Sequence, residues 1–208
     1  MKVFMHYCTY GFSNCYILGT DLYTNDSRRD AIVVDPGSME EPMLNFIEKH
    51  EYTLRGVLIT HDHFNHVRGL RTLKRIYDVD IYALSPVVRE IKTCLVKDGD
   101  SFSLGSINIE VIAVPGHSSD SAVYKTDHTL FTGDCLSAGL VGSTANSYGG
   151  AVQMNALLGK VLSMPGNHII LPGHGPPSTL EAERRFNWGI NNFEQNKTRR
   201  PRFTREFD

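Results

Sequence analysis

The sequence has no uninterrupted apolar run long enough for a signal peptide or a membrane span; Met1 to Leu18 is broken by His6, Tyr7, Cys8, Tyr10, Ser13 and Asn14. That start reads as a mature, cytoplasmic one with no membrane partner. Cysteine is scarce: Cys8, Cys15, Cys94 and Cys135 form no C-x-x-C pair, which argues against a disulfide framework or a thiolate zinc cluster. Charge of one sign is lacking too. A formal net charge of -2 gives no basic surface for nucleic acid, so the expected partner is a small molecule, and oligomeric state is left open. Low-complexity tracts, internal repeats and Ser/Gly linkers are absent, so nothing marks a boundary and residues 1–208 read as one domain.

Hydrophobic residues make up 41% of the chain, enough for a substantial core. Short β-branched runs, Ala31–Asp35, Gly56–Thr60, Ile107–Val114 and His168–Leu171, read as strands. Between them, apolar residues recur at helical spacing over Glu40–His50 and His66–Tyr77. Further helices are expected from about Val152 to Leu162 and from Thr179 to about Trp188, with Ser178 as cap and Glu181 at the capping-box position. The class is α/β.

Chemistry concentrates just after the strands. In Thr60-His61-Asp62-His63-Phe64-Asn65-His66, two histidines sit two apart at an extended strand end, so their imidazoles point the same way and can share an ion. His66 follows where the chain turns into a helix. Three more strand exits, Val114-Pro-Gly-His117, Phe131-Thr-Gly-Asp134 and Leu171-Pro-Gly-His174, aim imidazole or carboxylate out of a sheet edge by way of glycine. Any one such histidine is ordinary; six such groups at four strand ends make a metal site. Imidazole and carboxylate suit zinc, with iron or manganese also possible, and one or two ions fit the set.

These residues carry a resemblance to the metallo-β-lactamase superfamily. Its H-x-H-x-D-H motif is matched by His61, His63, Asn65 and His66 with one substitution, and Val34-Asp35-Pro36-Gly37 and Leu171 to Leu180 match further. The resemblance implies a four-layer αβ/βα sandwich with metals at one edge of two sheets. It implies one ion at His61, His63 and His117, a second at His66, His174 and the residue at position 65, and Asp134 bridging them. Pro172 to Leu180, followed by Glu181 and Arg184, resembles the compact glyoxalase II-like thioesterases. No separate C-terminal glutathione-binding domain is expected, because the chain ends about where the catalytic domain should.

Asn65 is the departure. It removes an anionic ligand and should weaken the second site; alternatively it caps the helix beginning near His66, and the two readings are compatible. Asp35 either orients a metal-bound group or forms the turn before Pro36. Tyr148, in the stretch Gly142–Gly150, is a candidate substrate contact, against the plainer reading of a tyrosine in a glycine-rich loop. Cys135 reads as a small buried residue, and Lys197 to Arg202 as a solvated basic tail.

The expected reaction is hydrolysis of a thioester, hydroxyacylglutathione-like, or of a related acyl compound by a metal-bound hydroxide, with Asp134, Asn65 and Asp35 as the supporting groups. A thiolate of free pKa about 8.5 leaves easily. The alternatives are a mononuclear iron oxidoreductase resembling the persulfide dioxygenases, and a metal-binding protein with reduced catalysis.

Overall fold

The computed structural model describes residues 1–23 and 28–199. Two six-stranded sheets lie face to face. The first runs in the order β1-β2-β3-β4-β5-β8: β1 (Lys2–Cys8), β2 (Ser13–Tyr23), β3 (Arg29–Val34), β4 (Tyr52–Leu58), β5 (Ile81–Ala83) and β8 (Cys94–Leu95). The hairpin of β6 (Val87–Val88) and β7 (Ile91–Lys92) stands beside it. The second sheet runs in the order β16-β15-β12-β11-β10-β9: β9 (Ser101–Leu104), β10 (Ile107–Ala113), β11 (Ala122–Thr126), β12 (Thr129–Gly133), β15 (Ile169–Pro172) and β16 (Ser178–Thr179). A small hairpin, β13 (Leu136–Ser137) with β14 (Leu140–Val141), follows β12.

Period-two alternation sorts side chains into layers. On β3, Ala31 and Val33 pack outward with Ile17, Val57 and Ile59 under helices α1 (Glu41–Lys49) and α3 (Leu70–Ile76). Ile32 and Val34 pack inward, with Leu18 and Leu58, onto Ile109, Val111, Tyr124 and Phe131 of the second sheet. On that sheet, Val123, Leu130 and Ile170 face outward to Met154, Leu157, Leu180 and Ile190. The last group belongs to α4 (Ser147–Ala156) and its π-helical continuation 157–161, α5 (Leu180–Phe186) and α6 (Trp188–Arg199). Three apolar seams between helix, sheet, sheet and helix make the four-layer sandwich. Each fully buried Leu, Ile or Phe in them contributes about 1.5–3 kcal/mol.

The expected strands form within a few residues of their predicted bounds. The helices differ more. The span His66–Tyr77 is two helices, α2 (Phe64–Val67) and α3, because Gly69 lies against Pro36 and Ser38: its N–H donates to the Pro36 carbonyl at 2.8 Å, and a Cβ there would collide with Ser38. His63 is therefore the residue before α2, and Asn65 sits inside its first turn, so Asn65 is not a helix cap.

The helix expected from Val152 begins earlier, at Ser147, where the Asn146 carboxamide oxygen accepts from Gly149 N–H at 2.9 Å. Thr179, not Ser178, caps α5 by accepting from Ala182 N–H; Ser178 instead donates to the buried Glu183. The chain turns at Asn187 and continues into α6, which the sequence pattern did not announce. The side chains of Lys197–Arg202 lie outside the described residues. No helix among the described residues is long and apolar enough to cross a membrane.

Candidate metal centre

Strand direction explains why four distant segments meet. β10 and β12 both pair antiparallel with β11, and β15 runs parallel to β12, so these three end at the same sheet edge and release His117, Asp134 and His174 there. β4 of the first sheet delivers His61, His63 and, through α2, His66.

The ring nitrogens converge. His63 Nδ1 is 3.0 Å from His61 Nε2 and 3.1 Å from His117 Nε2. In a tetrahedral site with metal–nitrogen bonds of about 2.0–2.1 Å, ligand nitrogens stand about 3.3 Å apart, close to this spacing. One carboxylate oxygen of Asp134 lies 3.8 Å from His61 Nε2, 3.6 Å from His117 Nε2 and 3.5 Å from His174 Nε2. Its other oxygen is 3.3 Å from His66 Nε2. Although close, those two atoms are misaligned for a hydrogen bond, and both are buried without one. The Asp134 carboxylate thus faces two groups of imidazoles, His61/His63/His117 and His66/His174, each able to hold an ion with it.

The outer nitrogens fix which lone pairs point inward. Thr60 donates its hydroxyl to Asp35 at 2.5 Å, so the hydroxyl oxygen accepts from His61 Nδ1–H at 3.0 Å, leaving the His61 Nε2 lone pair facing the site. His117 Nδ1–H donates to the Ser143 carbonyl at 2.8 Å, and His174 Nδ1–H to the Phe12 carbonyl at 2.7 Å. His66 Nδ1–H donates to Asp35 at 3.1 Å. Such partners set tautomer and ring orientation for a cation. His63 Nδ1 faces the lone pairs of both His61 Nε2 and His117 Nε2 and can donate a proton to only one of them, so at least one lone pair is left without a donor; a positive ion would satisfy all three, and a divalent metal fits the donors present.

Electrostatics agree. Burial, reinforced by the neighbouring His66, pushes the pKa of His61 down to about 3, and burial with His117 lowers that of His63, so both rings stay neutral. Burial opposes charge on His66 as well, but the Asp134 and Asp35 carboxylates outweigh it and raise its pKa to about 9. Asp134 is held well below the usual carboxylate range: burial raises its pKa, and His66, His61 and His174 overcome that. The site is deepest at His61 and His66 and opens at His174, whose side chain is 36% exposed.

Asp35 is both turn and support. Its backbone is left-handed, with φ +49°, and its buried carboxylate accepts from Thr60 N–H at 2.8 Å, from the Thr60 hydroxyl and from His66. Asn65 stands beside His174, with 2.9 Å between its amide nitrogen and Nε2. Tyr148 lies in the first turn of α4, not in a loop, and its side chain is exposed. Cys135 is buried with its thiol donating to the Thr132 carbonyl, and burial pushes its pKa up. Sequence reasoning missed Thr60, which joins Asp35 to His61, and Asp120, which accepts from Asp62 N–H at 3.0 Å. The Ser143 and Phe12 carbonyls were missed as well, since a backbone oxygen has no signature in sequence. Gly173 was legible only as a turn. A Cβ there would overlap Asp134 Oδ1 and His66 Cε1, so the glycine makes room for the site.

A family model described as the metallo-beta-lactamase superfamily matches residues 8–177. An uncharacterized protein of Mycobacterium tuberculosis is 30% identical over 208 residues, covering 84% of this chain and 91% of its own. A hydroxyacylglutathione hydrolase of Vibrio cholerae is 35% identical over 148 residues, 70% of this chain and 57% of that enzyme. Among solved structures, the BLEG-1 B3 metallo-beta-lactamase superposes with a TM-score of 0.75 at 24% identity, covering 91% of this chain and 99% of that one. ETHE1 from Myxococcus xanthus gives 0.78 at 22% identity, covering 97% and 93%. A protein crystallised in a di-iron-bound form gives 0.70 at 23% identity, covering 89% and 98%.

Proposed function

The chain belongs to the metallo-beta-lactamase superfamily, and from that membership we propose that it is a metal-dependent hydrolase of a thioester or related acyl compound. The observation that carries this reading is the meeting of His61 Nε2, His63 Nδ1 and His117 Nε2 at 3.0 and 3.1 Å beside the Asp134 carboxylate. The similarity to a hydroxyacylglutathione hydrolase supports the thioester class. In this reading His61, His63, His117 and Asp134 would hold one ion, and His66 and His174 with Asp134 would hold a second. When bound, a divalent ion supplies an activated water and polarises a carbonyl.

The chain's own groups do the rest. Asp134, kept ionised, would help hold the ions and accept a hydrogen bond from a nucleophilic water between the two imidazole groups, orienting it toward an acyl carbon at the open, His174 side. Thr60 and Asp35 hold His61 and His66 in register. A departing thiolate, with a free pKa of about 8.5, needs little protonation. Tyr148, further along the segment whose Ser143 carbonyl anchors His117, is assigned to the substrate. Four free cysteines fit a reducing, cytoplasmic setting for a small-molecule enzyme.

The test is thiol release from S-lactoylglutathione and from a simple acyl thioester by protein reconstituted with zinc, iron or manganese. Turnover lost on chelation and in His63→Ala supports the reading; no thiol release with any ion overturns it. A second reading, a mononuclear iron oxidoreductase, is favoured by the Asn65 amide against His174, which leaves one ligand group better provided than the other. Oxygen uptake by the iron-loaded protein with a persulfide, without thioester turnover, would select it.

A further inference from the structure

A groove of about 620 Å³ lies on the outer side of the segment that carries His61 and His63, walled by Asp62, Phe64, Arg68, Arg71, Arg89 and Glu90. Its three arginines are not equivalent. Arg89 pairs with Asp62 at 3.1 Å and Arg71 pairs with Glu90. Arg68 is exposed and pairs with no carboxylate among the described residues; its guanidinium sits 4.3 Å from the centre of the Tyr10 ring. The groove therefore carries one uncompensated positive charge, held on an aromatic face, which orients the guanidinium and leaves its N–H fork for an anion.

Two observations link this groove to the metal centre and show it is built. The turn between β1 and β2 spans both: the Phe12 carbonyl accepts from His174, Gly11 packs on Asn65, and Tyr10 meets Phe64 edge to face at 5.8 Å beside Arg68. The exposed rings of Tyr10 and Phe64 thus make an apolar surface beside Arg68, on the same turn that holds His174 through the Phe12 carbonyl. On the far wall, Arg89 and Glu90 turn the β6–β7 hairpin with φ +48° and +67°, a left-handed pair that glycine or asparagine would occupy without strain. The cost is kept in a turn that sets Arg89 5.2 Å over the Phe64 ring.

We propose that this groove is a subsite for an anionic group at the far end of the substrate, a carboxylate or phosphate separated from the reacting carbonyl by an apolar stretch, with Arg68 as its partner. The inference rests on the acyl-hydrolase reading of the neighbouring centre and narrows its substrate class to anionic acyl thioesters. A carboxylate accepts both N–H groups of the Arg68 fork while the apolar stretch covers Phe64 and Tyr10.

The test uses zinc-loaded protein and three thioesters of matched length: one neutral, one with a terminal carboxylate on the acyl part, and one with it on the thiol part. At least one charged thioester should exceed the neutral one by about tenfold in kcat/KM, chiefly through KM, as expected for a single charge-assisted pair. Which one does so identifies the end that Arg68 holds. Arg68→Gln should remove the preference while leaving the neutral thioester unchanged, and Arg68→Lys should restore part of it. Equal use of charged and neutral thioesters, or a preference that survives Arg68→Gln, overturns the proposal. Calorimetric titration with adipate reads the subsite without turnover. Weaker adipate binding in Arg68→Gln supports the subsite even where no thioester is cleaved, a result that would count against the hydrolase reading alone; equal binding in both proteins overturns the subsite.

Discussion

The amide nitrogen of Asn65 lies 2.9 Å from Nε2 of His174, whose other ring nitrogen donates to the Phe12 carbonyl 2.7 Å away. With Nδ1 protonated, Nε2 is an acceptor, and the neutral Asn65 amide occupies the lone pair that an ion beside His66 would use. The half of the centre around His66 and His174 is therefore expected to hold an ion more weakly.

Replacing that amide by a carboxylate should rebalance the two halves. Zinc content by mass spectrometry is expected near one tightly held ion per chain in the natural protein and near two in Asn65→Asp, with the second ion bound roughly 10–100-fold more tightly. Two ions of equal affinity in the natural protein would contradict this.

Protons should separate the halves as well. The pKa of His66 is raised to about 9, so an ion there must displace a proton, and its affinity should rise by about tenfold per pH unit up to that value and then level off. His61 and His63, with lowered values, are already neutral at pH 7, so the first ion should show little dependence from pH 7 to 9. Competition against a chelator at three pH values measures both slopes.

Asp35 acts on His66 through its 3.1 Å bond and on His61 through Thr60. Asp35→Asn, which offers a weaker acceptor, should cost roughly 10–100-fold in metal affinity. Cobalt spectroscopy of the substituted protein would report the altered geometry; unchanged affinity and spectrum would mean that the imidazoles hold themselves.

Gly173→Ala tests the room around Asp134 and His66. Its added methyl must displace one of them, so metal affinity and turnover should both fall while the unfolding midpoint moves little. A variant that binds metal normally would show that the edge yields without cost.

Asp30 joins the two sheets from β3. It accepts from Arg55 at 2.5 Å and from the backbone N–H and hydroxyl of Ser106, both at 2.8 Å. Burial raises its pKa, but Arg55 and Ser106 outweigh that and lower it below the unfolded value. The stability it contributes is therefore complete above about pH 4 and lost as pH falls through the lower, folded value. Asp30→Ala should destabilise by roughly 3 kcal/mol at pH 7, with the difference shrinking in acid, as urea unfolding would show.

Much of the site was legible because its chemistry follows a local rule. An imidazole or carboxylate after a strand and a glycine turn can be read from neighbours in the chain, so His61, His63, His66, His117, Asp134 and His174 could all be singled out, and the fold brings them together; Ala31–Asp35 was legible as a strand, whereas its division between two apolar seams was seen only in the structure. Asn65 was visible as an oddity, but its place inside α2 was not, because Gly69 breaks the helix through contact with Pro36 and Ser38, far from any periodic signal.

The residue types and spacing by themselves determined the α/β class and the candidate metal-binding donors, since each depends on side-chain period and ligand type, while the four layers and the class of chemistry were legible through the family resemblance those motifs carry. Only the tertiary structure decided which lone pairs face inward, that Asn65 takes up His174, that Thr60 couples Asp35 to His61, and that Arg68 lies on Tyr10 with no carboxylate partner among the described residues. Those are relations between segments tens of residues apart, and their angles and partners exist only once the two sheets have closed on each other.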